Sequence, residues 1–405
     1  MKIALLHYSA LPVVGGVELV IGQHARLMVE DGHQVTVIAG RGGAFDPRIN
    51  FVRLPTADSR HPQVLILKSQ LDRGLIPAEF ASLVESLVGE LRQSLAGMDL
   101  LIAHNVCSLH KNLALTAALQ RVASQDSAPR LILWHHDLAW ATQRYHDELH
   151  PGYPWDLLRI AWTGATQVVV SELRRQELAV LTGLPPDHIR VIPNGLDLRQ
   201  FLRLETQTQE LIFRLNLLGT NPWLLLPVRV TPRKNIELAL RILAALREIF
   251  PQAALLVTGP LGPHNPANAA YLENLLVLRA ELGLAGVAHF LAELSPEYLP
   301  ETVIFDFYRL ADALILPSRE EGFGIPLLEA GLARLPIFCA DIPPLRALAD
   351  GYAVFFSPDG DPRRVAEMIA QHLSADRRYA FRVRVRTHFT WERIYQQQIQ
   401  PLLKT

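Results

Sequence analysis

Cysteine is almost missing from the 405 residues: Cys107 and Cys339 are the only two, far apart and without metal-ligand spacing. A disulfide framework and a cysteine zinc site are therefore excluded, and a reducing, cytoplasmic setting is expected. Charge is not in excess either, with 39 Lys+Arg against 40 Asp+Glu and a formal net charge of -1. No long-range field exists to hold nucleic acid or an anionic membrane, so no nucleic-acid partner is expected. No apolar run approaches the ~20 residues that cross a bilayer. The opening run from Met1 to Tyr8 lacks a signal core and a cleavage site, and reads as a first buried strand. No transmembrane segment is expected, while peripheral contact with the inner membrane face stays open. Low-complexity tracts and short internal repeats are also missing.

What is present is apolar mass. Hydrophobic residues make up 49% and charged residues 20%, enough to bury a large core, and the length exceeds the roughly 250–300 residues at which one core stops growing. Two domains are expected. Short Val/Ile/Leu runs alternate with longer segments of helical period, the rhythm of βα units around parallel sheets. Strands are predicted near 2–7, 34–39, 99–103, 130–135, 166–170 and 189–192, then near 223–228, 253–258, 287–291, 312–316, 336–339 and 353–356. Each half can thus form a doubly wound sheet. The turn Pro193-Asn194-Gly195 divides them, giving domains 1–193 and 194–387, with a closing helix in 388–405 expected to rejoin the first. Ligands of such sheets bind beyond the carboxyl ends of the strands, so the loops there are where chemistry is sought.

Gly15-Gly16 follows the first strand and opens a helix, where backbone can approach a ligand and unpaired N–H groups can meet phosphate. A simple turn explains the pair equally well, and the three-glycine dinucleotide fingerprint is missing. In Leu316 to Ala330 a strand ends at Pro317, the loop Gly322-Phe323-Gly324-Ile325 follows, and Pro326 suits a first helical turn. Backbone N–H groups there can hold a diphosphate. Glu321 in the loop and Glu329 about a turn into the helix can face one ligand, although two solvated acids fit the spacing alone.

These residues resemble the family 4 nucleotide-sugar glycosyltransferases, retaining enzymes with the GT-B fold of two facing Rossmann-like domains. Glu321 and Glu329 match the family's pair of glutamates with seven residues between them around a Gly-Phe-Gly loop. Gly15-Gly16-Val17-Glu18, Pro193-Asn194-Gly195-Leu196-Asp197 and Arg229 through Lys234 match further patterns in the same order, and the resemblance runs on to Phe389-Thr390-Trp391-Glu392. The family more often has Gly where this chain has Val228 and Asn235.

The resemblance implies that Arg229 and Lys234 stabilise the departing diphosphate, Glu321 holds hydroxyls of the donor sugar, Glu329 holds the ribose, and Gly15-Gly16 covers the diphosphate. Fixed cations at a leaving group lower the barrier without a metal, so no metal or other cofactor is expected, and no Asp-x-Asp pair near the site. Of His135 and His136 at the end of a strand, His136 is favoured as a sugar contact because Asp137 follows it. His135, Asp137 and Trp140 are weaker acceptor-side candidates. The window 134–162 also holds Trp134, Tyr145, Tyr153, Trp155 and Trp162, which suit sugar stacking or plain packing. His146 and His150 stand four apart like helical metal ligands, but Asp147 replaces the glutamate of a zinc-protease helix and Pro151 ends any helix.

The expected activity is hexosyl transfer from a UDP- or GDP-sugar to a hydroxyl of a sugar, glycolipid or small molecule, with retention. A nucleotide-sugar hydrolase or epimerase, or a non-catalytic binder, are the alternatives.

Overall fold

The computed structural model describes residues 1–261, 267–294 and 299–404. The chain forms two compact units, one of Met1–Gly195 with Trp391–Thr405 and the other of Leu196–Thr390.

Unit 1 carries seven strands: β1 (Lys2–Ser9), β2 (Gln34–Arg41), β3 (Asn50–Arg53), β4 (Leu100–His104), β5 (Arg130–His135), β6 (Thr166–Val169) and β7 (Ile189–Val191). Their order is β3-β2-β1-β4-β5-β6-β7, every pair parallel. The strand order reverses between β1 and β4, which makes the carboxyl ends of those two strands the natural ligand crevice. Residues Ile3 to Leu6 are fully buried, as a strand covered on both faces requires. The strand β3 was not predicted. It is a four-residue edge strand with only Phe51 and Val52 apolar and neither fully buried, so its pattern does not rise above a loop.

The chain's last segment belongs to this unit. A helix starts at Trp391, passes through a π-helical stretch at Tyr395–Ile399 and ends at Lys404. Trp391, Ile394, Tyr395, Ile399, Leu402 and Leu403 pack with Ile3, Met28 and Ile132. Tyr395 and Gln400 donate to Asp31, and Arg130 donates to the carbonyls of Leu402 and Leu403, which caps the helix end with a cation.

Unit 2 carries β8 (Trp223–Leu226), β9 (Ala254–Val257), β10 (Ala288–Phe290), β11 (Ala313–Leu316), β12 (Ile337–Ala340) and β13 (Val354–Phe356). The order is β10-β9-β8-β11-β12-β13, again parallel, with its reversal between β8 and β11. Buried Asp312 ties this sheet to the last helix of the unit. Its carboxylate accepts from the guanidinium of Arg386 at 2.7 and 2.8 Å and from the backbone N–H of Trp223 at 2.8 Å. No described helix is long and apolar enough to cross a membrane.

Candidate functional site

In unit 1 the strand ends at the reversal point bring histidines together. His7 lies two residues before the end of β1, His104 ends β4, His135 ends β5 with His136 next, and His24 from the helix Gly16–Glu30 packs against His104. All five are buried. Burial lowers the pKa of His24 and His136 to about 3, that of His7 and His135 to about 4, and that of His104 well below its usual value. Desolvation penalises the imidazolium, so these rings are neutral near pH 7. Each then has one N–H and one bare nitrogen.

Hydrogen bonds settle which way the rings point. His135 donates from Nε2 to the side-chain oxygen of Gln167 at 2.8 Å, and its Nδ1 is enclosed. That ring is buried with both nitrogens turned into the protein. His136 meets Nδ1 of His104 through its Nε2 at 3.2 Å, while its own Nδ1 makes no hydrogen bond among the described residues and is not enclosed. Asn105, in a left-handed conformation at φ 57, accepts the backbone N–H groups of His136 at 2.7 Å and Asp137 at 3.2 Å. Asp137 is partly exposed, accepts from Asn105 at 3.3 Å and lies 4.0 Å from Arg174.

Gly15 caps the helix Gly16–Glu30, and a Cβ there would stand 2.1 Å from Oε2 at the tip of the Glu18 side chain. Glu18 folds back over the helix start, where its Oε1 accepts from Ser9 at 2.5 Å. At Gly16 a Cβ would meet nothing within 4 Å, so this position is open.

The aromatic window resolves mainly into packing. Trp134, Trp155 and Trp162 are buried in the core. Trp140 spends its N–H on the carbonyl of Trp155 and has Arg159 4.1 Å over its ring, so its polar handle is not free for an acceptor. His146 lies in a 3-10 turn (Gln143–Glu148), and His150 bonds the carbonyl of Asp72. The two do not form a helical ligand pair. Asp72, His110 and Glu148 do gather ligand atoms within 4.8 Å. The ammonium of Lys68 already bonds both acids there at 2.7 to 2.9 Å, and His110 bonds Glu148 at 2.6 Å. This cluster carries its own cation and pins the segment 143–150 to the helix Pro62–Leu71.

In unit 2 the loops after β8 and β11 meet at the reversal point. Lys234, buried, donates from Nζ to Oε1 of Glu321 at 2.5 Å, and buried Ser318 donates to the same oxygen at 2.8 Å. Oε2 of Glu321 makes no hydrogen bond among the described residues. Gly324 opens the helix Ile325–Leu332 at φ 105, a conformation that side chains resist, and its missing Cβ leaves room for Leu345. The backbone N–H groups of Gly322, Phe323, Gly324 and Ile325 meet no acceptor among the described residues. Phe323 and Ile325 are exposed. Glu329, in the second turn, accepts from buried Tyr308 at 2.5 Å through Oε2. Burial, then the Glu329 carboxylate, holds the Tyr308 phenol protonated as the donor.

Arg229 is exposed at the end of the β8 loop. Asn235, where the family more often has Gly, adopts a left-handed conformation at φ 53, and its amide donates to the carbonyls of Pro317 at 3.0 Å and Pro358 at 2.9 Å. Asparagine is among the few residues that tolerate that conformation, and here it also ties the loops after β11 and β13 to the lysine loop. An Asp-x-Asp pair does occur near these loops, contrary to expectation: Asp359-Gly360-Asp361 follows β13. Asp359 pairs with Arg319, and Asp361 caps the helix Pro362–Ala375 by accepting from the N–H of Arg363. Each acid has a different partner.

The model for Glycosyltransferase Family 4 matches residues 14–200, and that for Glycosyl transferases group 1 matches residues 207–386. The chain belongs to the family 4, group 1 glycosyltransferases. Among curated relatives, the mannosylglucosylglycerate synthase of Petrotoga mobilis is 25% identical over 85% of this chain and 83% of its own length. A D-inositol 3-phosphate glycosyltransferase from Thermobispora bispora is 26% identical over 90% of this chain and 83% of its own. A solved sucrose-phosphate synthase from Thermosynechococcus elongatus is 19% identical, covering 100% of this chain and 98% of that one, with a TM-score of 0.38, too low to add to the assignment.

In this transferase, pattern reading found the end-of-loop residues and missed their supports. Ser318, Tyr308, Asn105 and His104 went unnoticed. Ser318 stands three residues before Glu321 and Asn105 beside His104 at a strand end, so proximity was the one available signal. Tyr308 lies 21 residues from Glu329 and has none.

Proposed function

We propose that this transferase moves a hexosyl unit from a nucleoside diphosphate sugar to an acceptor hydroxyl, with retention and without a metal. The observation that carries this reading is the fixed Glu321. Lys234 and Ser318 hold one of its oxygens. Its other oxygen is left for sugar hydroxyls, in the same loop as four backbone N–H groups with no acceptor among the described residues. Such groups at a helix start suit a diphosphate, and cations on the neighbouring loop, Arg229 and Lys234, suit the charge that develops as the sugar bond breaks. Glu329, with one oxygen tied to Tyr308, is assigned to the ribose. On unit 1, Gly15 and Gly16 are assigned to the donor and His136 to a sugar hydroxyl.

An oxygen of the departing diphosphate takes the proton of the attacking hydroxyl, on the face from which it leaves. No protein nucleophile is then needed. A low-pKa His136 suits hydrogen bonding better than proton removal at neutral pH.

The experiment pairs a thermal-shift panel of UDP-, GDP- and ADP-sugars in excess chelator with anomeric NMR of the product. A bound donor at 100 times its Kd adds about 2.7 kcal/mol to stability. Failure of all three donors to stabilise the protein, an inverted anomer, or turnover that returns only with added magnesium or manganese would each overturn its part of the reading.

A further inference from the structure

His104 makes no predicted contact with substrate, yet it is the one partner of the His136 ring among the described residues. The two rings lie nearly parallel, 27° apart with centroids at 5.5 Å, and Nδ1 of His104 is 3.2 Å from Nε2 of His136. We propose that His104 is a positioning residue that donates its Nδ1–H to Nε2 of His136 and so fixes His136 with its own proton on Nδ1, presented outward as a donor to a sugar hydroxyl. This inference rests on His136 being a sugar contact.

The reason is what each tautomer leaves behind in the core. One proton must lie between the two rings. If His136 supplied it, Nδ1 of His104 would be the acceptor and its proton would sit on Nε2. That nitrogen is enclosed with no partner: of the other rings at 5.5 Å, Trp134 stacks on His104 at 26° and His24 is tilted at 51°, and neither accepts a hydrogen bond from it. A buried N–H with no acceptor costs the desolvation of a donor, whereas a bare acceptor lone pair is tolerated more often. With the proton on Nδ1 of His104, only a lone pair is left enclosed.

The surroundings prevent escape into a charged form that would satisfy both sides. Desolvation comes first in lowering the pKa of His104 and of His136, and neighbouring histidines push in the same direction. His7 is committed elsewhere: a carbonyl only accepts, so Nδ1 of His7 donates to the carbonyl of His104 at 2.7 Å. His24 has no hydrogen-bond partner on either nitrogen and meets Trp134 and Trp391 edge-on, at 4.7 and 5.3 Å between centroids. The backbone N–H of His136 is held by Asn105.

A neutral His136 with its proton on Nδ1 donates to a sugar oxygen and cannot accept a proton there. It therefore orients a hydroxyl and does not act as a general base.

The test is long-range proton–nitrogen NMR of the full chain labelled with nitrogen-15 histidine, without ligand. The His136 signals are those missing from His136→Gln. We expect protonated Nδ1 and bare Nε2 at His136 in the native chain, a shift toward the other tautomer in His104→Phe, and recovery in His104→Asn, whose amide N–H falls near the lost Nδ1–H. Turnover should fall about five- to tenfold in His104→Phe, the scale of one lost hydrogen bond, with the donor KM unchanged. A native His136 protonated on Nε2, or an unchanged tautomer in His104→Phe, overturns the proposal. If His104→Phe does not fold, the native spectrum alone decides. The expected tautomer in a chain that transfers no sugar would count against the transferase reading and leave the role of His104 standing.

Discussion

The two units share one topology and put opposite electrostatics at its equivalent place. Where the strand order reverses in unit 1, buried neutral histidines gather. In unit 2 the same place holds a buried ammonium and carboxylate, Lys234 and Glu321, their side chains 10% and 8% exposed. An imidazole can answer burial by giving up its proton and remaining a hydrogen-bonding group. A fixed charge answers it by pairing. Under the proposed function, neutral donors and acceptors would serve hydroxyl recognition and fixed charge a departing diphosphate, both from residues at the strand ends of one scaffold.

Acid should break this comparison most strongly. The five clustered histidines of unit 1 have pKa values well below the unfolded value of about 6.5, and burial lowers that of His110 as well. Between pH 6.5 and about 4 the unfolded chain binds protons at these sites that the folded chain refuses, so stability rises with pH across that window and is lost as pH falls through it. Each site contributes up to about 1.4 kcal/mol per pH unit, and five together amount to several kcal/mol. Unit 2 has one described histidine so shifted, His289. Hydrogen exchange at pH 7 and pH 5, corrected for intrinsic rates, should show unit 1 opening first. Equal loss of protection in both units would refute it.

On the charged side, Glu321→Gln should lower turnover by roughly 10²–10³-fold, because geometry and charge change at the transferred sugar. Glu329→Gln should chiefly raise the donor KM, since the ribose hardly changes between bound donor and transition state. Steady-state kinetics with folding checked by circular dichroism decide this. Native turnover in Glu321→Gln removes the assignment, and equal turnover losses in both variants erase the division of roles.

The smallest effect concerns Asn235. Asn235→Gly keeps the left-handed backbone and loses two hydrogen bonds to Pro317 and Pro358, so a loss of about 1–2 kcal/mol is expected from denaturant melts. Asn235→Ala adds backbone strain and should lose about 1 kcal/mol more. An order reversed between the two would show that backbone conformation does not govern this position.

Legibility followed the physics of each feature. Twelve of the strands carry apolar runs that stand out against their flanks, while β3, on an edge with two apolar residues, does not. Glu321, Glu329, Arg229, Lys234 and His136 stood out because they fall in motifs that resemble the family's, in the stretches that follow strands. The Asp359-Gly360-Asp361 pair was overlooked in the expectation of its absence, and its two acids have separate partners.

What the sequence by itself determined was the α/β class, the division into two domains, and the residue types that reach the loops, because periodicity and motif spacing are local properties of the chain. Only the tertiary structure decided that His135 turns to Gln167 and His136 to His104, that Lys234 and Ser318 share one oxygen of Glu321, and that Tyr308 holds Glu329. These pairs join residues from 3 to 87 positions apart. A hydrogen bond between strand ends depends on which strands lie side by side, and that order is set by packing the whole sheet.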